Sequence, residues 1–351
     1  MRIDFQPYQL PFKKPARTSR GEMKYKEGYL VTIENEGIKG VGECSYIKGL
    51  SIDNLKNYGS KLAAIKERPN ELTTILENEL VDFPSIKFGL ETALLDLKNG
   101  GNKILFPSEF TAGRAQIPIN GLVWMGSAAA MRAEILQKLQ EGFSCIKLKV
   151  GAIDFKEECK LLELIRNDFS KEKIEIRLDA NGSFKKEEAI QKLTTLARFD
   201  IHSIEQPIAT KQWELMREIC TANIINIALD EELIGISSKE KKQQLLETIR
   251  PPYIILKPSL LGGFKACNEW IELAEAMSIK WWATSALESN IGLNAIAQWV
   301  FSKQKNTTQG LGTGGLYTNN IDSPLYIQNG HLGYSTTRHW QLNLDPTACS
   351  K

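Results

Sequence analysis

From about residue 110 onward, short apolar runs alternate with longer charged stretches at a nearly constant interval, and no other property of the chain narrows its fold as much. The runs are 117–120 (IPIN), 145–149 (CIKLK), 174–179 (IEIRLD), 203–205 (SIE), 225–230 (INIALD), 253–257 (YIILK), 280–285 (KWWATS) and a weak one near 308–311. Helical patterns lie between them, at 155–169, 185–198, 212–220 and 263–277. Counted from Lys149, the strand ends Asp179, Glu205, Asp230, Lys257 and Thr284 follow after 30, 26, 25, 27 and 27 residues. Each interval holds one strand, one helix and two loops. Roughly eight such units close a (β/α)8 barrel, whose catalytic groups stand at the C-terminal strand ends. A doubly wound open sheet is the rival, but no strand is followed by GxGxxG. The expected fold is α/β, with a (β/α)8-type barrel over 111–320.

The first 110 residues follow another pattern. Runs at 29–34 (YLVTIE) and 41–46 (VGECSY) alternate about Asn35-Glu36-Gly37, which predicts an antiparallel hairpin. Three helical patterns follow, and the last, 84–98, repeats Ile86, Leu90, Leu94 and Leu97 on one face. This predicts an α+β capping domain over 1–110, with the C-terminal tail 321–351 packing back on it.

The chain of 351 residues carries 44 Lys+Arg against 42 Asp+Glu, a net charge of +2. Such balance removes the general attraction on which nucleic-acid and membrane-surface binding rely, so a small molecule is the expected partner. Six cysteines (Cys44, Cys145, Cys159, Cys220, Cys267, Cys349) form no CxxC pair and read as free thiols in a reducing compartment. The N-terminal stretch is broken by charges and prolines, and no uncharged apolar run reaches 18 residues. A cytoplasmic protein is expected, with no nucleic-acid or membrane partner. Its oligomeric state is left open, a homo-oligomer included.

Asp179, Glu205 and Asp230 end three successive strands. Neighbouring parallel strands lie ~4.8 Å apart, so their side chains can converge. Three converging anions repel unless a cation lies between them, and an all-oxygen set suits Mg2+, with Mn2+ as the alternative. Singly, each acid could instead cap a helix or pair with Lys or Arg; three in register favour the metal. Lys147 and Lys149 point to one face of their strand, and Lys257 ends another across the ring. An inward ammonium is expensive unless it meets an anion, so these lysines are read as functional. The competing reading leaves KxK exposed on the outer face. Lys147 is also placed to help its neighbour Lys149 give up a proton.

Asn181 (LDANGSF), Gln206 (IEQPI) and Glu231 (LDEEL) follow the three acids and could orient them, or simply cap helices. The stretch 284–292 (TSALESNIG) offers Thr284, Ser285, Glu288 and Ser289 for substrate contacts. In 312–315 (GTGG), Gly312 would let backbone N–H groups approach an anion, though such a loop can also be merely flexible. The basic segment 13–21 (KKPARTSRG) reads as a solvated loop, or as a lid whose Arg17 or Arg20 meets a substrate carboxylate. His202, His331 and His339 read as structural, which sets aside Ser-His-Asp hydrolysis and histidine-rich zinc sites.

In order and spacing, CIKLKVG, RLDANGSF, SIEQP, ALDEEL and ILKPSLLGG resemble the KxK, Asp, Glu, Asp and Lys signature of the enolase superfamily, in its muconate-lactonizing subgroup. The resemblance spans essentially the whole chain, capping domain included. TSALESNIGL and PSIKFGLETALLDL are most similar to the o-succinylbenzoate synthases of menaquinone biosynthesis. The resemblance implies Mg2+ held by Asp179, Glu205 and Asp230, and a small carboxylate as substrate. It implies Lys149 as the base that removes a proton α to that carboxylate, with Lys257 on the opposite face and Lys147 beside the base. A metal and two ammonium groups can stabilise the enediolate as it forms. The implied activity is that of a lyase, the syn dehydration of 2-succinyl-6-hydroxy-2,4-cyclohexadiene-1-carboxylate to 2-succinylbenzoate. Lys149 would return its proton to the departing hydroxyl, and aromatisation would drive the step.

Two departures weigh against other branches of the superfamily, and one alternative stays open. Dipeptide epimerases carry an Asp-x-Asp near the eighth strand, where this chain has GLGTGGLYTN without an acid. The mandelate-type branch needs a His near the seventh strand, where Thr284 and Ser285 stand. An N-acylamino acid racemase would use Lys149 and Lys257 as opposed acid/base groups. Outside enzymes, the chain could be a barrel that only binds a small anion, in which case it shows no metal-dependent turnover and tolerates change at Lys149.

Overall fold

Alternating apolar residues draw the first 44 residues into an antiparallel sheet of β1 (Arg2–Thr18), β2 (Gly21–Asn35) and β3 (Ile38–Cys44), in the order β1-β2-β3. In the computed structural model, which describes residues 1–18, 21–151 and 153–342, β2 and β3 meet at Glu36-Gly37. Both residues have positive φ (52° and 80°), as a two-residue hairpin requires. Sequence reasoning missed β1 because Pro7 and Pro11 argue against a strand. They are tolerated because β1 is an edge strand, and its register shifts between Pro11 and Ala16. Residues 13–18 of the basic segment, read as a loop, instead continue β1, whose Thr18 pairs with Gly21. Arg20 lies outside the described residues.

The helix Pro84–Lys98 has the bounds read from the sequence and buries Ile86, Leu90 and Ala93 with Val31 and Ile33 of the sheet. The two elements touch through glycines. A Cβ on Gly42 would stand 2.0 Å from the carbonyl oxygen of Gly89. Gly42→Ala is therefore expected to lower stability by about 1–3 kcal/mol, read as a lower urea midpoint with an unchanged slope.

Next in the chain come β4 (Ile117–Pro118), β5 (Gly121–Val123), β6 (Cys145–Lys149), β7 (Glu175–Asp179), β8 (Ser203–Glu205), β9 (Ile227–Leu229), β10 (Tyr253–Leu256) and β11 (Lys280–Ala283). Strands β5 to β11 form one curled parallel sheet in chain order, with a helix after each of β5 to β10. Helix Phe155–Asp168 shows how local sequence sets these units. The Asp154 carboxylate accepts from the Lys156 and Glu157 N–H groups to start it, and Leu161, Leu162 and Ile165 join the core of Ile146, Leu148 and Ile176. The run IPIN, expected as the first barrel strand, is shared between two sheets: Ile117 and Pro118 form β4, whereas Ile119 bridges Gln309 in parallel and leads directly into β5. Pro118 can give no N–H to a central ladder, and β4 pairs elsewhere.

The weak eighth run forms no strand, yet it closes the ring. Gln309 N–H donates to Pro118 O (2.9 Å) and its carbonyl accepts from Asn120 N–H (3.0 Å). On the other side Gly310 N–H donates to Ala283 O (2.8 Å), and Gly310 O accepts from Ser285 N–H (2.9 Å). A Cβ on Gly310 would lie 2.5 Å from Thr284 Oγ1, so the closure needs a glycine that weakens any strand signal. The hairpin β12 (Leu325–Gln328) and β13 (His331–Tyr334) pairs with β4 rather than with the cap sheet, while Ile321 and Trp340 of the same tail join a cluster with Tyr8, Leu10 and Phe12 of β1. Among the described residues no helix is long and apolar enough to cross a membrane, and Cys44, Cys145, Cys159, Cys220 and Cys267 are free. Cys349 lies outside the described residues.

Two cap carboxylates seat the cap on the barrel by binding helix N-termini. Glu91 accepts from the N–H groups of Phe264 and Lys265 (2.5 and 3.0 Å), in the first turn of helix Gly263–Ala276. Glu43, at the end of β3, accepts from the N–H groups of Ser289 and Gly292 (both 2.8 Å), at the start of helix Asn290–Lys303. Unsatisfied N–H groups and the positive end of the helix dipole favour a carboxylate there. Those helices follow β10 and β11, so the contacts hold the cap over the C-terminal ends of the strands.

Candidate active site

The parallel ladder itself assembles the site. Lys149 of β6 is in register with Asp179 of β7, and Asp179 with Glu205 of β8, so three charged side chains leave the sheet side by side. Asp230 and Lys257 follow directly after β9 and β10. Oxygens of Asp179, Glu205 and Asp230 lie within 4.8 Å of one another, and all three residues are buried. Lys147 Nζ is 3.0 Å from Asp179 Oδ2 and also pairs with Glu205. Lys149 Nζ lies 2.8 Å from both Asp179 Oδ2 and Asn181 Oδ1, and Lys257 pairs with Asp230 at 2.5 Å.

Burial disfavours every charge here, and the neighbours decide which charges survive. For Lys147 burial is outweighed by Asp179, Glu205 and Asp230, which raise its pKa. For Lys257 burial is likewise outweighed, by Asp230 and Glu231. Asp179 is held well below the usual carboxylate range, against burial, by Lys147, Lys149 and Lys257. Glu205 goes the other way: burial, helped by Asp179 and Asp230 and opposed by Lys147, raises it to about 7. Its Oε1 is buried without a hydrogen-bond partner. An unpartnered carboxylate oxygen among three converging acids fits a hard divalent cation, which takes oxygen ligands.

The residues after the acids hold the strand ends together. Asn181 and Gln206 both sit at positive φ (45° and 37°). The Asn181 N–H donates to Asp179 Oδ1 (3.1 Å) and its Nδ2 to Glu231 Oε1 (2.9 Å). Gln206 Oε1 accepts from the Glu232 N–H (3.3 Å), while its Nε2 donates to Glu232 Oε2 (3.1 Å). These bonds tie β8 to the segment after β9, and they offset the strained backbone at Gln206.

A cavity of about 480 Å³ opens above the acids, walled by the barrel ends below and by 21–27 and 46–50 of the cap above. Thr284, Ser285 and Gly312 line it as expected from the sequence. Glu288 and Ser289, read as substrate contacts, do not. The chain turns at Leu287 (φ 65°), and both residues fall inside the protein. Glu288 accepts from Ser259 and Ser285 hydroxyls (both 2.5 Å), and burial pushes its carboxyl up. Ser289 Oγ caps helix Asn290–Lys303 and donates to Glu43. Sequence reasoning missed Trp124, whose ring lies 6.0 Å from Lys149 Nζ, because the three-residue β5 before it is too short to register. It also missed Lys26, which lines the cavity from β2 in a stretch to which the sequence reading assigned no element.

Residues 130–337 match the enolase C-terminal domain-like family, and residues 2–97 match the MenC N-terminal domain. The o-succinylbenzoate synthase of Desulfotalea psychrophila is 46% identical, over 95% of this chain and 99% of that protein. This chain belongs to the o-succinylbenzoate synthase family of the enolase superfamily. A solved member of the family, MenC from Desulfotalea psychrophila, matches the structure with a TM-score of 0.84 at 43% identity, covering 95% of this chain and 99% of that one. More distant is the N-succinyl-L-Arg/Lys racemase of Bacillus cereus, 26% identical over 84% of this chain and 82% of its own.

Proposed function

We propose that this chain is a lyase that dehydrates 2-succinyl-6-hydroxy-2,4-cyclohexadiene-1-carboxylate to 2-succinylbenzoate, the o-succinylbenzoate synthase reaction of menaquinone biosynthesis. The observation that carries the reading is the 46% identity along nearly the whole of both chains. The barrel 111–320 is its catalytic domain and 1–110 its cap.

Asp179, Glu205 and Asp230 would hold the cation, Mg2+ or Mn2+, which supplies Lewis-acid stabilisation of the negative charge that builds on the substrate carboxylate. Lys149 Nζ takes the proton from the carbon α to that carboxylate. The same nitrogen returns it to the departing hydroxyl, so both events share one face, and the balance is loss of one water. Asn181 keeps the nitrogen in position, bonded at 2.8 Å. Lys257, across the ring, presents a fixed positive charge to the developing anion. Lys147, charged and in contact with Asp179 and Glu205, orients the acids. Thr284, Ser285 and Gly312 form the wall against which the substrate rests.

The opposed placement of Lys149 and Lys257, with the racemase among the relatives, favours a second reading, N-succinylamino acid racemisation. Assaying both reactions side by side is expected to give the higher kcat/KM for dehydration; a higher value for racemisation reverses the assignment. Lys257→Ala separates the mechanisms further. In heavy water this variant should still exchange the substrate α-hydrogen, because Lys149 remains, whereas Lys149→Ala should not. With an N-succinylamino acid, exchange of one enantiomer surviving in Lys149→Ala and of the other surviving in Lys257→Ala would mean that two bases work from opposite faces.

A further inference from the structure

The substrate of the proposed reaction carries two carboxylates, and the barrel accounts for one. Its three lysines are committed: Lys147 to Asp179 and Glu205, Lys149 to Asp179 and Asn181, Lys257 to Asp230. A cationic group for the distal carboxylate must come from elsewhere on the cavity wall. Of the cap lysines there, Lys24 is exposed and Lys48 is 63% exposed and paired with Glu27.

Lys26 differs from both. It is 2% exposed, it lines the cavity, and it stands on β2, on the cap side and away from the acids. Its Nζ donates to two backbone carbonyls, Glu27 O (2.9 Å) and Tyr46 O, and lies 5.4 Å from the centre of the Tyr46 ring. Among the described residues no carboxylate lies within ion-pair distance of it. Burial brings its pKa down to about 8, outweighing Glu43, Glu288, Asp53 and Glu27, which raise it only through space. An ammonium has three N–H donors, so one is left over. Burying a cation without an anion is costly, and a structure that does so in a ligand cavity gains when an anion arrives.

We propose that Lys26 binds the distal, succinyl-chain carboxylate of the substrate and so selects a dicarboxylate over its neutral-ended analogue. This deepens the proposed function and rests on it. The cavity is then polarised along its length, with the reacting carboxylate at the barrel acids and the second one under the cap.

The test uses the full-length enzyme with its metal and two ligands, 2-succinylbenzoate and the same molecule with its succinyl end converted to the primary amide. Wild type is expected to bind the diacid roughly 10- to 100-fold more tightly than the amide by calorimetry, the span of one charge-assisted hydrogen bond. Lys26→Met keeps the length of the side chain and should bring the two affinities within about threefold. In turnover it should raise KM by a similar 10- to 100-fold with kcat little changed. A residue that merely shapes the cap would weaken both ligands alike. Equal affinity of wild type for diacid and amide overturns the assignment even if the variant fails to fold, and so does discrimination that survives in Lys26→Met. Turnover of the cyclohexadiene by wild type is the control. Its absence removes the proposed function and this assignment together, whereas turnover with unaltered discrimination removes only Lys26.

Discussion

Lys149→Ala is expected to lower kcat by roughly 10²- to 10⁴-fold, the range for losing a positioned acid–base group, and toward its upper end because one nitrogen serves both proton transfers. The fold should survive. Asp179 keeps Lys147 at 3.0 Å when Lys149 is gone, so the buried carboxylate is not left without a counter-charge. An unchanged circular dichroism spectrum and urea midpoint would show this. Lys149→Arg sharpens the result, because it restores the charge near Asp179 but a guanidinium does not give up its proton at working pH. If Lys149 is the base, arginine should be as inactive as alanine. If it serves only as a cation beside the substrate, arginine should recover much of the rate. Near-normal turnover by Lys149→Ala would move proton removal to another group, Lys257 first.

The barrel was legible because its period is a consequence of covalent geometry. A strand, a helix and two loops need nearly the same number of residues each time, and Lys149, Asp179, Glu205, Asp230 and Lys257 mark those ends in the sequence before any coordinates are known. Register does the rest, since parallel pairing of Lys149 with Asp179 and of Asp179 with Glu205 turns equal spacing into proximity. What escaped has equally specific causes. Pro7 and Pro11 hide β1, since edge position, which excuses a proline, is a tertiary property. Gly310 hides the closing segment, because the space taken by Thr284 and not strand propensity selects it. Glu288 and Ser289 looked like wall residues from their place after a strand end, but one left-handed residue, Leu287, sends them inward, where Glu43 and Ser259 claim their polar atoms. Lys26 gave no signal at all. A lysine in KYKEG is ordinarily solvated, and only the cap's closure over the barrel makes it a buried cation.

Removing divalent metal should abolish turnover, and the pH dependence of its return should identify Glu205 as a ligand. Dialysis against EDTA is expected to bring dehydration to background, with recovery on adding Mg2+; full activity in the chelator would exclude the three acids as a metal centre. In the metal-free protein burial and the neighbouring acids raise Glu205 to about 7, so below that pH it carries a proton. A cation binds the carboxylate and must displace that proton. Apparent Mg2+ affinity should therefore fall about tenfold per pH unit below the Glu205 pKa and level off above it. Calorimetry in buffers of different ionisation enthalpy should count close to one proton released per ion on the acid side and fewer on the alkaline side. Glu205→Gln removes both the ligand charge and the titration. Its Mg2+ binding should be weaker and flat with pH over the same span. The variant should stay folded, since its amide relieves the crowding of three acids while Lys147 keeps Asp179 as a partner. A wild-type affinity that does not change across that range would mean that Glu205 is already ionised when the metal arrives, and the balance of burial against Lys147 would have to be drawn the other way.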